Sequence, residues 1–161
     1  FFNRPVKKAK TFESKFDTVE VCFSPLGNCE SLIINSFNSA RENIDAAIYA
    51  FTSYNIADAL VKARKRGVNV RVILDGEFGR TVKPIIKKLE QNGIYVLYDN
   101  NLKATMHNKY AIVDDSLVIT GSYNWTKGAN SFNYENLLIL RSGELARIFK
   151  ENFDKMWTEF R

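Results

Sequence analysis

The sequence predicts an α/β protein with a mixed, mostly parallel sheet that carries helices on both faces. Two observations predict this class. Over residues 18–99, short apolar or alternating runs take turns with segments of helical spacing, which is typical of parallel crossover units. After residue 105, three short apolar runs follow one another, which indicates antiparallel strands.

The first half of the chain is divided by clear stop signals. Asn28 is suited to cap a helix, and Gly67 and Gly93 each end a segment whose apolar residues lie on one helical face. The run 44–51 is mostly apolar, which suits a strand buried on both faces. The predicted strands are 18–25, 44–51, 68–75 and 94–99, and the predicted helices are 29–41, 55–66 and 82–92.

The second half changes character. Residues 109–114 and 116–121 alternate in the manner of strands and are joined at Asp114 and Asp115, which predicts a hairpin. A third strand is predicted over 136–141. Ser142 then caps a last helix whose apolar and aromatic residues share one face, and these aromatics are interpreted as core packing.

Length and charge predict one domain with a basic tail. The 161 residues fit a single domain over 19–161, preceded by a tail over 1–18. The net charge is +5, and the first fifteen residues contain five basic residues and one acidic residue, so most of the net charge lies in the tail. Such a tail is able to attract phosphate backbones and anionic membranes equally well. No apolar run reaches the length of a transmembrane helix.

The start of the chain and its two cysteines bear on its location. The chain begins with Phe1 rather than Met, which is compatible with a removed upstream segment that could have attached the protein to a membrane. Cys22 and Cys29 either form a disulfide in an oxidising compartment or remain two separate thiols, and we slightly prefer the thiols. An exported or membrane-anchored location is favoured over a cytoplasmic one.

One histidine stands in a pattern suited to phosphate chemistry. His107 is the only histidine, and Lys109 lies two residues later on the same face of a strand. Ser122 and Asn124 share a face of the returning strand, so the hairpin is expected to bring all four together. An ammonium and directed donors suit an anion with several oxygens, and imidazole supplies a nucleophile or a proton carrier.

These residues also carry a family resemblance. HNKYAIVD has the pattern H-x-K-x4-D and is followed by GSYN, which resembles the phospholipase D superfamily and is most similar to its small, single-motif Nuc-type endonucleases. FSP, IDAAIYAFT and KARKRGVNVRVILD extend the resemblance over roughly residues 19 to 158. It implies a phospholipase D-like fold and hydrolysis of a phosphodiester through a covalent phosphohistidine.

The resemblance implies roles for individual residues. His107 would be the nucleophile, and Lys109 and Asn124 would hold the phosphate oxygens with help from Ser122. Glu135 would orient the histidine. Asp114 and Gly121 are expected to shape the hairpin. Apart from the resemblance, Lys103 and Lys127 lie near the motif in sequence and either contact flanking phosphates or are ordinary surface charges.

The family mechanism uses two histidines, and this chain has one. The resemblance therefore implies a homodimer with one composite site at its two-fold axis. No metal or cofactor is expected. The competing hypothesis is a metal nuclease that uses Asp75 and Glu77, although these are interpreted as a solvated loop.

The motif predicts the reaction type but leaves the substrate open. A sequence-nonspecific endonuclease acting on DNA or RNA, single- or double-stranded, is the preferred hypothesis, and the basic residues near 62–66 favour it. The alternatives are a phospholipid hydrolase of the cardiolipin type and a nucleic-acid-binding module without catalysis.

Overall fold

A computed structural model describes residues 18–99 and 104–161, apart from the side chain of Arg80. The predicted basic tail, 1–18, lies outside the described residues except for Thr18. The strands are β1 (Thr18–Ser24), β2 (Asn43–Ile48), β3 (Asn69–Asp75), β4 (Tyr95–Asp99), β5 (Lys109–Val113), β6 (Leu117–Gly121) and β7 (Glu135–Arg141). The helices are α1 (Cys29–Ser39), α2 (Tyr54–Lys65), α3 (Gly76–Thr81), α4 (Lys83–Gln91), α5 (Lys127–Ser131) and α6 (Gly143–Glu159).

The described strands form one sheet in the order β1-β7-β6-β5-β2-β3-β4. The α/β class and the mixed sheet are confirmed, but the expectation of a mostly parallel sheet is wrong. Only β2–β3 and β3–β4 pair in parallel, through the crossovers of α2 and α4. The β5–β6 hairpin and β7 add antiparallel pairings between β2 and β1. A tight turn reverses the chain between β5 and β6, whereas β1 and β7 are far apart in sequence.

Helices cover both faces of the sheet, as predicted. Alternate residues of β2 point to opposite faces, so Ile44 and Ile48 join the core under α1, α2 and α4. Ala47 joins the second core, under α6, together with Ile73 of β3 and Phe153 of α6. The residues of β2 are almost all buried, which explains the continuous apolar run in the sequence.

Side-chain hydroxyl groups cap three of the helices, and the Asp75 carboxylate caps a fourth, α3. The hydroxyl groups of Ser53, Thr126 and Ser142 accept hydrogen bonds from backbone N–H groups in the first turns of α2, α5 and α6. The Ser142 cap was predicted, whereas α3 and α5 were not, because each is only about one turn long. At the β5–β6 turn Asp114 and Asp115 both have positive φ, of 50° and 49°, as a tight hairpin turn requires.

A disulfide joins Cys22 of β1 to Cys29, the first residue of α1. The preference for two separate thiols is therefore wrong. Both cysteines are buried, and the turn between them brings their backbones to a Cα–Cα distance of 5.7 Å, which is suited to a disulfide.

A buried charge cluster fastens α6 to the sheet. The carboxylate of Asp45 in β2 is 0% exposed and accepts hydrogen bonds from Nε and Nη2 of Arg71, at 2.7 and 2.9 Å, and from Nζ of Lys150, at 2.5 Å. Arg71 also donates to Asp154 of α6 at 2.8 Å. Burial disfavours the charged guanidinium, but its bonds to both carboxylates raise the pKa of Arg71 above its ordinary value.

The face of β1 that points away from α1 is exposed. Val19, Val21 and Phe23 alternate along this edge strand and are 45%, 53% and 66% exposed. Among the described residues, no helix is both long and apolar enough to cross a bilayer.

Candidate active site at one rim of the sheet

The candidate residues lie along one rim of the sheet. The strand pairings place the carboxyl ends of β2, β3 and β6 beside the amino ends of β5 and β7, and this edge is called the site rim below. His107 precedes β5, Ser122 and Asn124 follow β6, and Glu135 begins β7. A rim of strand ends can present many side chains, because the chain turns there and the sheet core ends.

His107 and Lys109 form one pair at this rim. The Nζ atom of Lys109 lies 3.2 Å from Nδ1 and 3.3 Å from Nε2 of His107 and donates a hydrogen bond to the carbonyl oxygen of His107 at 3.0 Å. The His107 side chain is exposed. Burial lowers the pKa of Lys109, while the negative charge of Glu135 acts in the opposite direction. The pair therefore combines an accessible imidazole with an adjacent cation.

Ser122 and Glu135 form a second pair. The hydroxyl of Ser122 donates to Oε2 of Glu135 at 2.5 Å, and the Asn133 amide donates to Oε1 at 3.2 Å. In this single chain the carboxylate therefore binds Ser122 rather than His107, and the expected orientation of His107 by Glu135 stays a prediction. The electrostatic interaction between Lys109 and Glu135 links the two pairs.

The Asn124 side chain is turned toward β2. Its Oδ1 atom accepts a hydrogen bond from the backbone N–H of Ala50 at 3.3 Å.

The β5–β6 register pairs Tyr110 with Thr120, so strand parity alone would separate Lys109 from Ser122. The chain turns at Gly121, which has a φ of +152°, and a Cβ there would lie 2.2 Å from the carbonyl oxygen of Asn136. Only glycine fits this close approach.

Asp114 lies at the far end of the hairpin from His107. Its carboxylate accepts hydrogen bonds from the backbone N–H groups of residues 41, 42 and 43, at distances between 2.8 and 3.2 Å. These bonds tie the hairpin turn to the connection between α1 and β2. Its contacts are thus to backbone, on the edge of the sheet opposite the site rim.

Of the two predicted phosphate contacts, only Lys127 belongs to the described part of the chain, and it does not line the cavity beside His107. Lys103 lies outside the described residues. Lys127 is exposed at the start of α5 and lines a cavity with Glu30 and Ser53 rather than the space beside His107. The basic residues at 62–66 fall at the end of α2, which begins near the site rim and runs to the opposite edge, so they do not flank His107.

The carboxylates of the metal hypothesis do not form a pair. Asp75 is 4% exposed, so its interpretation as part of a solvated loop is wrong, whereas Glu77 is exposed. One oxygen of Asp75 accepts from the backbone N–H groups of Glu77 and Phe78, and the other accepts from that of Met106 at 3.2 Å. The carboxylate thus caps α3 and holds the segment just before His107.

A cavity of about 450 Å³ opens beside the His107–Lys109 pair. Its wall is part apolar, from Ile148 and Phe149 of α6, and part polar, from Thr120 and Asn152. Phe149 packs edge-on against Tyr110, with ring centroids 5.0 Å apart, which fixes this wall. The cavity is of the size of a small-molecule site and has mixed character.

Comparison with known proteins places this chain in a family. The family model described as "Cardiolipin synthase, PLD-like domain" matches residues 33–157. The chain belongs to the phospholipase D family. Nuc, a phospholipase D family member from Salmonella typhimurium, has a crystal structure that is 35% identical, covers 89% of this chain and 96% of that chain, and superposes with a TM-score of 0.83. NucT from Helicobacter pylori is 33% identical, covers 88% of this chain and 96% of that chain, and has a TM-score of 0.81.

Relatives named cardiolipin hydrolases are also similar to this chain. The mitochondrial cardiolipin hydrolase of Canis lupus familiaris is 38% identical over 140 residues, which is 86% of this chain and 55% of that protein. This chain thus spans little more than half of the length of that relative.

Within this phospholipase D fold, sequence reasoning missed two residues that contact the His107 segment. The ring of Tyr49, just after β2, lies 4.5 Å from the imidazole of His107 between centroids. Asp75 holds the backbone of Met106. The available signal for Tyr49 was a polar aromatic side chain directly after a buried strand.

Proposed function

We propose that this chain is a phosphodiester hydrolase and that its substrate is nucleic acid, DNA or RNA, cleaved without a metal and without sequence preference. The observation that carries the proposal is the pairing of the chain's single imidazole with the Lys109 ammonium at an exposed rim of a phospholipase D fold. An ammonium attracts the phosphate oxygens, and the neighbouring imidazole can attack phosphorus.

The proposed reaction has two steps, which follow the mechanism that the family resemblance implies. In the first, a ring nitrogen of His107 bonds to phosphorus while the bond from phosphorus to the leaving oxygen breaks, and a second imidazole gives that oxygen its proton. In the second, water attacks the phosphohistidine, the second imidazole takes a proton from the water, and His107 is released. Lys109, Ser122 and Asn124 would stabilise the charge on the phosphate oxygens.

The second imidazole must come from another copy of the chain, because the sequence contains one histidine. We therefore propose a homodimer in which two site rims face each other across a two-fold axis, with one His107 as nucleophile and the other as acid. The exposure of the His107 side chain at the end of the sheet supports this arrangement, because the imidazole is accessible to a second molecule even with Tyr49 and Lys109 in contact with it.

Two observations support nucleic acid over lipid. The sequence resembles Nuc-type endonucleases, and the likeness to Nuc and NucT covers 96% of each of those chains, which is nearly their whole length. The cavity beside His107 has Thr120 and Asn152 in its wall besides apolar side chains, so it offers hydrogen-bonding groups that suit the polar parts of a nucleotide. Contacts to phosphate alone carry no base information, which explains the proposed lack of sequence preference.

A second candidate, hydrolysis of a phospholipid, is favoured by a separate observation. Leu26 and Tyr134 are 97% and 93% exposed near the site rim, and Phe132 is 69% exposed. Exposed apolar side chains beside a site are suited to contact a membrane surface. The cardiolipin hydrolases among the relatives agree with this candidate.

A comparison of substrates in the presence of a chelator tests the proposal. Purified dimer is incubated with single-stranded DNA, double-stranded DNA, RNA and cardiolipin vesicles, and His107→Ala is measured beside it. We expect nucleic-acid cleavage that survives EDTA and is lost in His107→Ala. Lys109→Ala should also lose activity, whereas Lys65→Ala, which removes a lysine from the opposite edge of the sheet, should retain it.

Four outcomes would contradict parts of this proposal. Cleavage of vesicles alone would favour the lipid candidate, and binding of DNA without cleavage of any phosphodiester would favour a silent binding module. Activity that EDTA removes and magnesium restores would contradict the metal-free chemistry. Sedimentation of the active enzyme as a monomer at assay concentration would contradict the shared site.

A further inference from the structure

Tyr49 touches both members of the His107–Lys109 pair. Its ring centroid lies 4.5 Å from that of His107, with an interplanar angle of 54°, and 5.2 Å from the Nζ atom of Lys109. One aromatic ring therefore borders the imidazole and lies beneath the ammonium. The side chain is half-buried, so it is held on one side by protein and open to the pair on the other.

Tyr49 is itself held in place. Its ring packs against that of Phe78 with centroids 5.7 Å apart, and its backbone N–H donates to the carbonyl oxygen of Asn108 at 2.8 Å. Asp75 binds the N–H groups of both Phe78 and Met106, so the support on the far side of Tyr49 is connected to the segment before His107. The residues on either side of His107 are thus bonded to the ends of β2 and β3.

The His107 ring needs such a support because it is exposed and precedes its strand. An unsupported side chain would sample several rotamers about χ1 and χ2, and only some of them would direct a ring nitrogen at phosphorus. The tilted contact with Tyr49 restricts these rotations. The face of an aromatic ring also attracts cations, so the same contact favours the ammonium of Lys109 where the phosphate must bind.

We propose that Tyr49 is a positioning residue, which fixes the plane of the His107 imidazole and the place of the Lys109 ammonium for attack on phosphorus. This inference rests on the proposed function for the role of His107 as nucleophile. The contact itself does not depend on the substrate. The ring of Tyr49 and not its hydroxyl carries the effect, since the contacts to His107 and Lys109 are made by the ring.

Kinetics of three variants test this role. We expect Tyr49→Leu to lower kcat about 10- to 100-fold and to change KM less, because displacement of the nucleophile slows attack on phosphorus while Lys109 keeps its hydrogen bond to the carbonyl oxygen of His107. Tyr49→Phe keeps the ring and should stay within about threefold of the wild type. Tyr95→Leu, which removes a 64% exposed tyrosine from β4, is the matched control. Equal kcat values for Tyr49→Leu and Tyr95→Leu would overturn the proposal.

The single histidine gives a second readout that needs no turnover. One imidazole produces one set of ring signals in a carbon–proton NMR spectrum, and a neighbouring aromatic ring shifts them. We expect the same shift in the wild type and Tyr49→Phe and its loss in Tyr49→Leu. Unchanged signals in Tyr49→Leu would overturn the contact, whatever the kinetics.

A fourth variant covers the case in which Tyr49→Leu does not fold. Phe78→Leu removes the ring behind Tyr49 without touching His107, so it should lower kcat less than Tyr49→Leu and move the histidine signals partway. Full activity and unmoved signals in Phe78→Leu would count against the support described here. If His107→Ala remained active, the proposed function would fail, and the NMR comparison would still decide whether Tyr49 orients the ring.

Discussion

The buried charge of Asp45 offers a sharp test of how the two layers of the protein are joined. The Asp45→Asn substitution keeps the volume of the side chain and removes its charge. In its place Arg71 and Lys150 would face an amide that can accept only part of their hydrogen bonds. Because Lys150 belongs to α6, the loss weakens the attachment of this helix to β2 and β3.

The structure sets the size of the effect. Removal of one partner from a buried ion pair costs about 3–5 kcal/mol. The lower end applies here, because Arg71 keeps its 2.8 Å contact with Asp154. The side chains of Arg71 and Lys150 are also 19% and 26% exposed, so water recovers part of their hydration. We therefore expect Asp45→Asn to lower the free energy of unfolding by about 3 kcal/mol.

Urea denaturation at one fixed protein concentration measures this change, since the stability of the proposed dimer would depend on concentration. With a slope of about 2 kcal/mol per molar urea, the midpoint should fall by about 1.5 M. Asp58→Asn is the matched control, because Asp58 pairs with Lys88 at the surface, with 47% and 34% of the side chains exposed. It should cost less than about 1 kcal/mol. Equal midpoints for the two variants would refute the reasoning.

Two further predictions concern the site and the hairpin. Glu135→Gln should move the alkaline limb of the pH–rate profile to lower pH. Burial lowers the pKa of Lys109, and the negative charge of Glu135 opposes this shift, so removal of that charge lowers the pKa further. An alkaline limb at unchanged pH would show that Lys109 and Glu135 do not interact. Asp114→Ala should lower the free energy of unfolding by about 1–3 kcal/mol, because it leaves the N–H groups of residues 41–43 without their acceptor, while turnover per folded molecule is retained. Urea curves and rates from one preparation would separate these effects, and lost turnover with unchanged stability would contradict a supporting role for Asp114.

The fold was predictable where the signal is local. The helical faces of α2 and α4 and the stop signals at Gly67 and Gly93 predicted the parallel unit of β2, β3 and β4. The place of β1 was not predictable, because it is set by pairing with β7, which lies more than 100 residues later. Helix α5 escaped prediction since five residues show no periodicity.

The site was predictable in its parts but not in its pairings. Strand spacing placed His107 beside Lys109, and the structure agrees. The grouping of Ser122 with Glu135 depends on the turn at Gly121, whose positive φ follows from the backbone of β7 close by rather than from any local pattern. Tyr49 contributes through the face of its ring, a contact between distant strand ends that no spacing rule reveals.

The link between Cys22 and Cys29 has a practical consequence for handling this protein. It ties an edge strand with an exposed apolar face, formed by Val19, Val21 and Phe23, to the first turn of α1. A reducing agent in the purification buffer would reduce this disulfide and let β1 detach more readily from β7. A loosened edge strand can pair with its counterpart in another molecule. Losses to aggregation should then rise with dithiothreitol, and preparations kept oxidised should store best.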